Sequence, residues 1–107
     1  MEGAGNWVLA CKVGDVNKED VKRWDHNGQS VAIIRTENDQ FFATDDICTH
    51  EHAHMSDGFV IGDTIECPRH AACFNVRTGQ ALTPPARIAL KTFPTKVENG
   101  TVFVQIE

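Results

Sequence analysis

The chain has 107 residues, of which 41% are hydrophobic and 23% charged, and its formal net charge is −5. This length fits one domain with a modest core, so we expect a single domain over residues 1–107 and no second, catalytic domain. The acidic balance disfavours sequence-independent nucleic-acid binding, because neutralising phosphates requires an excess of Lys and Arg. It suits protein partners with basic docking faces.

The sequence carries no signal for export or for membrane insertion. Residues 1–6 lack a basic region followed by an apolar run, and no apolar stretch is long enough to span a bilayer. The cysteines at positions 11, 48, 67 and 73 would allow two disulfides in a secreted protein, but nothing marks this chain for secretion. We therefore expect a soluble, cytoplasmic protein without a membrane partner.

Strand signals dominate the N-terminal part of the chain. Residues 7–11 form a short apolar run, and two strand-like segments flank Asn27-Gly28, a dipeptide that supplies the two positive-φ residues of a tight hairpin. A polar turn then leads into residues 41–44, whose aromatic and β-branched side chains suit a strand. Residues 17–22 indicate a helical turn with Asn17 as its cap.

Strand signals return in the C-terminal part. Residues 88–93 and 95–97 precede Asn99-Gly100, and residues 101–106 follow it, which predicts a second hairpin. His, Cys, Gly and Pro concentrate between the two strand regions, where residues 58–62 and 64–66 still allow short strands. We therefore predict an all-β fold, an antiparallel sandwich or small barrel, into which a subdomain of approximately residues 46–86 is inserted.

Two short motifs in this inserted segment carry metal-binding chemistry. Cys48-Thr-His50 and Cys67-Pro-Arg-His70 bring two thiolates and two imidazoles together from two loops. In a Rieske centre two Cys bind one iron and two His bind the other, so each loop delivers one ligand to each iron. A structural zinc site is an alternative, although Cys-x-His is a tight spacing for it. A second alternative is that these are ordinary core residues that bind no metal.

A plant-type cluster with four cysteine ligands does not fit this sequence. It requires a spacing such as C-x4-C-x2-C. The cysteines at positions 11, 48, 67 and 73 do not supply that spacing.

The two motifs resemble those of the Rieske family, and the resemblance extends through Phe74-Asn-Val-Arg-Thr-Gly79 and Pro84-Pro85. It is closest to the Rieske ferredoxins of bacterial aromatic ring-hydroxylating dioxygenase systems and covers almost the whole chain. It implies the Rieske fold and one Rieske-type [2Fe–2S] cluster per chain, with these ligands: Cys48, His50, Cys67 and His70.

The same resemblance implies a function. It indicates a monomeric one-electron carrier that accepts electrons from a flavin-containing ferredoxin reductase and delivers them to the terminal Rieske oxygenase. The carrier would have no catalytic residues of its own, and electrons would enter and leave through His50 and His70.

Four residues distinguish this chain from the respiratory Rieske proteins, which have a second cysteine in each loop and a disulfide between them. Ala53 and Arg69 occupy those positions here. Those relatives also direct a serine and a tyrosine hydroxyl at the cluster sulfurs, where this chain has Ala72 and Phe74. Because hydrogen bonds to sulfur stabilise the reduced cluster, we expect a potential near the low end of the Rieske range, roughly −150 mV.

Residues around the motifs receive simpler interpretations. His52 and His54 are interpreted as surface histidines near a docking face, and Cys11 and Cys73 as buried small hydrophobes. Trp7 and Trp24 are expected in the core. The segment Thr83-Pro-Pro-Ala86 matches the third loop that covers one side of the cluster in Rieske relatives.

Two other functions fit the sequence less well. A Rieske oxygenase needs a mononuclear iron held by two His and a carboxylate, and the remaining histidines, at positions 26, 52 and 54, offer no scaffold for it. A Rieske-like small subunit of another oxidoreductase, of the nitrite reductase type, stays an alternative, although such subunits often lack cluster ligands that are all present here.

Overall fold

Antiparallel β-sheets account for nearly all the regular structure in the computed structural model, which describes residues 6–49, 53–69, 72–83 and 88–106. The first sheet has the strand order β1-β10-β9 and consists of β1 (Asn6–Lys12), β10 (Thr101–Ile106) and β9 (Thr95–Glu98). The second has the order β2-β3-β4-β8, from β2 (Asp20–His26), β3 (Gln29–Arg35), β4 (Phe41–Asp45) and β8 (Thr92–Phe93). The third consists of β5 (Phe59–Ile61), β6 (Thr64–Glu66) and β7 (Cys73–Asn75), in that order.

Both predicted Asn-Gly hairpins are confirmed. Asn27 and Gly28 have φ values of 51° and 80°, and they join β2 to β3. Asn99 and Gly100, with φ values of 51° and 75°, join β9 to β10 in the same way. Two successive positive φ values give a turn whose twist matches that of the strands it joins.

Strand β3 is buried on both faces and separates two apolar cores. Val31 and Ile33 contribute to one core, which lies with residues of the first sheet such as Val102. Ala32 and Ile34 contribute to the other, which also contains Ile65 of the third sheet. Since side chains of a strand alternate between its faces, β3 is the shared wall between scaffold and inserted sheet.

The third sheet interrupts the second between β4 and β8, which pair directly with each other. Ala43 lies opposite Phe93, and the amide of Asp45 donates a 2.9 Å hydrogen bond to the carbonyl oxygen of Lys91. The chain therefore leaves the scaffold and returns to it at adjacent positions. This arrangement confirms the all-β prediction with an inserted small sheet, and it adds β7, which the sequence did not predict.

The predicted helical turn over residues 17–22 is wrong. Glu19 takes a φ of 56°, which interrupts a right-handed helix, and Val21 already lies in β2 opposite Ile34. The short 3₁₀ turns occur instead at Val13–Asp15 and Met55–Asp57. None of the helical segments in the described ranges is long and apolar enough to cross a membrane.

Two expectations about apolar residues also need correction. Trp7 is 38% exposed on the first sheet, where the Lys96 ammonium lies 4.6 Å from its ring centroid, whereas Trp24 is half-buried against a core as expected. The strand expected over residues 88–93 is limited to β8 (Thr92–Phe93), and Ile88 is exposed.

Candidate metal centre

The two predicted ligand loops are closed by the same backbone contact. The amide of Cys48 donates a 2.8 Å hydrogen bond to the carbonyl oxygen of Ala53, and the amide of Cys67 donates one of 2.7 Å to that of Ala72. In both loops a cysteine stands at the base and the accepting carbonyl lies five positions later. The two loops are thus closed in the same way at their cysteine ends.

Both cysteines point into one core. Cys48 is 4% exposed and Cys67 is 1% exposed, and they belong to the same buried cluster as Ala53 and Ala72. No disulfide joins any of the four cysteines, all of which lie in described ranges. Two buried thiols at the bases of adjacent loops, shielded from water, suit the cysteine half of a Rieske ligand set.

The histidine half of the predicted set cannot be placed. His50 and His70 lie outside the described residues. So do His52 and residues 84–87, which include most of the proline-rich loop expected to cover one side of the cluster. Within the described part of the chain no group of three or more His, Cys, Asp or Glu side chains is arranged to hold a metal ion. The four-residue ligand set therefore stays a prediction, for which the two cysteine positions are suitable.

The walls beside the cysteines are apolar. Ala72 and Phe74 are both fully buried, and Ala53 is 6% exposed. Neither Ala72 nor Phe74 has a side-chain hydroxyl to donate to sulfur. The low potential expected from these two residues stays a prediction.

A buried carboxylate beneath the first loop was not predicted. Asp46 has no exposed surface, and its Oδ2 accepts a hydrogen bond of 2.7 Å from the Ser30 hydroxyl and lies 2.6 Å from Nδ1 of His54. The amide of Ser56 donates to its Oδ1 at 2.8 Å. Burial opposes the charged form, but these hydrogen bonds outweigh it and hold the pKa of Asp46 below its ordinary value.

This contact changes the interpretation of His54. The sequence predicts an ordinary surface histidine here, but the ring nitrogen Nδ1 lies within hydrogen-bonding distance of a carboxylate that has no solvent exposure. The sequence shows Asp45-Asp46 before Cys48 and gives no sign of which carboxylate is buried. Ser30 and Asp46 are also too far apart in the chain for spacing to reveal their contact.

Two threonine hydroxyls connect the ligand loops to neighbouring segments. Thr49, between the two predicted ligands of the first loop, donates a 2.7 Å hydrogen bond to the carbonyl oxygen of Ile88. Thr83 accepts one of 3.0 Å from the amide of Cys73 at the start of β7. The segment before residues 84–87 is therefore anchored next to the second ligand loop, and the segment after them is anchored to the first.

The other two cysteines differ in environment. Cys11 is 6% exposed in the core of the first sheet, and burial raises the pKa of its thiol, with a smaller contribution in the same direction from Asp15. Cys73 is only half-buried, and its sulfur lies 3.9 Å from a carboxylate oxygen of Glu66. The expectation of a buried hydrophobe is thus correct for Cys11 and wrong for Cys73.

Exposed apolar side chains lie next to both loops. Ile47 precedes Cys48 and is 41% exposed. Ile88, whose carbonyl oxygen accepts the hydrogen bond from Thr49, is 67% exposed. Leu82, whose amide donates a hydrogen bond to the carbonyl oxygen of Cys73, is 46% exposed. Exposed aliphatic side chains therefore lie beside the described parts of both loops.

Comparison with known proteins agrees with this geometry. The family model of the Rieske [2Fe-2S] domain matches residues 6–94. The chain is 42% identical over 102 residues to the ferredoxin component of the naphthalene 1,2-dioxygenase/salicylate 5-hydroxylase systems of Ralstonia sp, covering 95% of this chain and 97% of the relative.

Solved structures of ferredoxins give the same result. A complex of reduced oxygenase and oxidized ferredoxin in carbazole 1,9a-dioxygenase matches with a TM-score of 0.86 and 37% identity, over 92% of each chain. The Sphingomonas yanoikuyae B1 ferredoxin matches with a TM-score of 0.88 and 31% identity, over 95% of this chain and all of that one. Two equivalent cysteine loops in an all-β scaffold and these likenesses lead to one conclusion: the chain belongs to the Rieske [2Fe-2S] domain family.

Proposed function

We propose that this chain is the ferredoxin component of an aromatic-compound dioxygenase system. It carries electrons, one at a time, from a flavin-containing ferredoxin reductase to the terminal Rieske oxygenase. The carrier itself has no catalytic residues, because the oxygenase attacks the aromatic substrate. The observation that carries the proposal is the pair of buried cysteines, Cys48 and Cys67, at the bases of two loops closed by the same backbone contact.

The cofactor in this proposal is one Rieske-type [2Fe–2S] cluster per chain, in a subdomain of approximately residues 46–86 within the single domain 1–107. Cys48 and Cys67 would bind one iron, and His50 and His70 would bind the other. When bound, such a cluster supplies reversible one-electron transfer. The burial of Cys48 and Cys67 would keep water from the two thiolates, and Ala72 and Phe74 would keep their surroundings apolar.

The docking surface in this proposal surrounds the ligand loops. Ile47, Leu82 and Ile88 offer exposed aliphatic area there, and the net charge of −5 favours partners with basic docking faces. A small surface of this kind supports brief contacts, which a carrier needs because it must leave each partner quickly. The protein acts as a monomer in the cytoplasm and meets the reductase and the oxygenase in turn.

The first experiment is EPR of the reduced protein after anaerobic reconstitution with iron and sulfide. We expect the low average g of a Rieske cluster and its loss in Cys48→Ser and Cys67→Ser. The matched controls Cys11→Ser and Cys73→Ser should keep it, since neither is a predicted ligand. A colourless, EPR-silent protein would overturn the proposal, and stable zinc binding in its place would favour the structural zinc module.

The histidine ligands are tested in the same way. His50→Gln and His70→Gln should abolish the low-g spectrum, whereas the matched control His52→Gln should retain it. An unchanged spectrum in either ligand variant would exclude that histidine from the ligand set.

The partners are tested by reconstituting electron transfer. Candidate reductase and oxygenase pairs are mixed with NAD(P)H and aromatic substrate, and substrate-coupled oxygen consumption is measured with and without this protein. Consumption should depend on the loaded protein and be absent with Cys67→Ser. Equal consumption without the protein in every pair that turns over would contradict its role as the carrier.

A further inference from the structure

Asp46 is the one charged side chain among the described residues that is fully buried. It stands where the chain leaves β4, two residues before Cys48. Burying a carboxylate is unfavourable unless hydrogen bonds compensate for the lost water. The burial of this carboxylate next to a ligand loop therefore indicates that its hydrogen bonds have a structural role.

The hydrogen bonds of Asp46 join two separate parts of the fold. Ser30 lies at the start of β3, in the central wall of the scaffold, and its hydroxyl donates to Oδ2 at 2.7 Å. His54 and Ser56 lie on the returning limb of the first ligand loop, with contacts of 2.6 Å and 2.8 Å to the two carboxylate oxygens. The segment that enters the first loop, residues 46–47, is its outgoing limb, and the segment that leaves it, residues 54–56, is its returning limb. The Asp46 side chain therefore connects these two limbs to each other and to the scaffold.

The backbone of Asp46 connects the same two parts of the fold as its side chain. Its amide donates to the carbonyl oxygen of Ser30 at 3.1 Å, and its own carbonyl oxygen accepts from the amide of Met55 at 2.5 Å. The next residue, Ile47, forms an isolated bridge with His54. Among the described residues, these contacts at Asp46 and Ile47 lie directly below the hydrogen bond between Cys48 and Ala53 that closes the loop.

The second ligand loop is supported differently. Strands β6 and β7 pair directly below it, with Glu66 opposite Cys73, so a regular ladder fixes the positions of its two limbs. In the described part of the first loop, an isolated bridge between Ile47 and His54 stands at the corresponding place, and no named strands pair there. The carboxylate of Asp46 supplies there the support that a strand pair supplies to the other loop.

We propose that Asp46 is the positioning residue of the first ligand loop. By bonding Ser30, His54 and Ser56 it fixes the two limbs so that Cys48 and the predicted ligand His50 are presented together to the cluster. The inference rests on the proposed ligand set. It predicts that the carboxylate controls how firmly the cluster is held and how its histidine side is oriented.

The test compares Asp46→Asn with Asp45→Asn in the full-length reconstituted protein. Both variants lose one carboxylate of similar position in the chain, but Asp45 is only half-buried and accepts one long hydrogen bond, 3.4 Å, from Gln29. Cluster loss is followed as the decay of visible absorption after addition of an iron chelator. We expect Asp46→Asn to lose its cluster about tenfold faster than the wild type, since changes to groups that orient metal ligands have effects of this size. Asp45→Asn should behave like the wild type.

Spectroscopy separates positioning from general stability. Asp46→Asn should show shifted g values in the reduced state, because the loop that carries His50 is released. A lower melting temperature of the apoprotein with unchanged g values and an unchanged loss rate would make Asp46 a purely structural residue and overturn the proposal.

A second pair keeps the test valid if Asp46→Asn does not fold. Ser30→Ala removes one hydrogen bond to the carboxylate and should accelerate cluster loss, whereas Ser30→Thr keeps the hydroxyl and should restore the wild-type rate. Equal loss rates in Ser30→Ala and the wild type would contradict the inference. A wild-type protein that takes up no cluster would refute the proposed function instead, so the two failures are distinguishable.

Discussion

Gly79 approaches Leu90 so closely that no side chain fits between them. The amide of Leu90 donates a 2.8 Å hydrogen bond to the carbonyl oxygen of Gly79, and a Cβ added to Gly79 would lie 2.1 Å from the carbonyl oxygen of Leu90. This contact joins the turn after β7 to the segment that returns to the scaffold. Gly28 has almost the same φ as Gly79 but no such close contact.

Gly79→Ala should destabilise the protein more than Gly28→Ala. Both glycines have φ values near 80°, but Gly28 has no atom within 4 Å of the added Cβ. The positive φ alone costs about 1–2 kcal/mol for alanine, and displacing the Leu90 backbone adds about 1–3 kcal/mol. Urea unfolding of the two variants and the wild type measures the difference. Equal losses would show that the backbone contact at Gly79 does not resist an added methyl group.

The apolar wall beside the cysteines predicts the reduction potential. Direct electrochemistry on the loaded protein should give a value near the low end of the Rieske range, roughly −150 mV. Phe74→Tyr should raise it, because a hydroxyl that donates to sulfur stabilises the reduced form. Phe42→Tyr, which adds a hydroxyl at a partly buried position on the edge of the same core, is the matched control. A wild-type potential well above zero would contradict the assignment of Ala72 and Phe74.

The thiol of Cys11 should react slowly with alkylating reagents in the folded protein. Burial raises its pKa, so at a given pH less of it is thiolate than of an unperturbed cysteine, whose pKa is about 8.5. Iodoacetamide labelling followed by mass spectrometry should show slower modification of Cys11 than of the half-buried Cys73. The Cys11 rate should still be rising above pH 8.5, and unfolding should remove the difference. Equal rates in the native protein would show that Cys11 is accessible.

Asp39 should contribute to stability in a pH-dependent way. The hydrogen bond from Arg35 holds the pKa of this exposed carboxylate below its ordinary value. Its stabilising contribution is therefore fully present above the unfolded-state pKa, about 3.9, and is lost as the pH falls through the lower folded-state value. Asp39→Asn, which suits the positive φ of this position, should lower the melting temperature at pH 6 and have a smaller effect at pH 2.5. A difference that does not shrink at low pH would assign the effect to something other than this charge.

The exposed aliphatic residues near the ligand loops should determine partner docking. Ile88→Ser should lower kcat/KM for electron delivery to the oxygenase by about tenfold, the effect of losing one well-packed interface residue, without changing the potential. The matched control is Leu9→Ser, since Leu9 is 60% exposed, close to the 67% of Ile88, but lies on the first sheet. Equal effects of the two substitutions would argue against a docking surface at the loops.

The parts of the fold that local chemistry determines could be predicted from the sequence. Asn27-Gly28 and Asn99-Gly100 favour one turn type almost regardless of context, and both hairpins are present. Strand β7 was missed because its three residues pair with β6 across the second ligand loop, a contact that no local pattern reveals. The helical turn over residues 17–22 was wrong because the left-handed Glu19 and the pairing of β2 override local propensity.

In the candidate site, too, some features could be predicted from the sequence and others could not. The alternation of Cys and His in two short motifs identifies the cysteine positions that the structure buries. The support beneath them could not be predicted, because Ser30 and Asp46 meet only after β3 and β4 have paired. Trp7 was misplaced for a related reason: which face of β1 is covered depends on sheet packing, and the outward face here is the one stabilised by Lys96.

The direct pairing of β4 with β8 gives the inserted sheet two adjoining attachment points, joined by the hydrogen bond from Asp45 to Lys91. Because this segment leaves and rejoins the scaffold at neighbouring positions, a change in its length leaves the length and path of β4 and β8 unaltered. A change in its composition is more restricted, because the side chains that it packs against Ala32 and Ile34 of β3 must still fill the shared core.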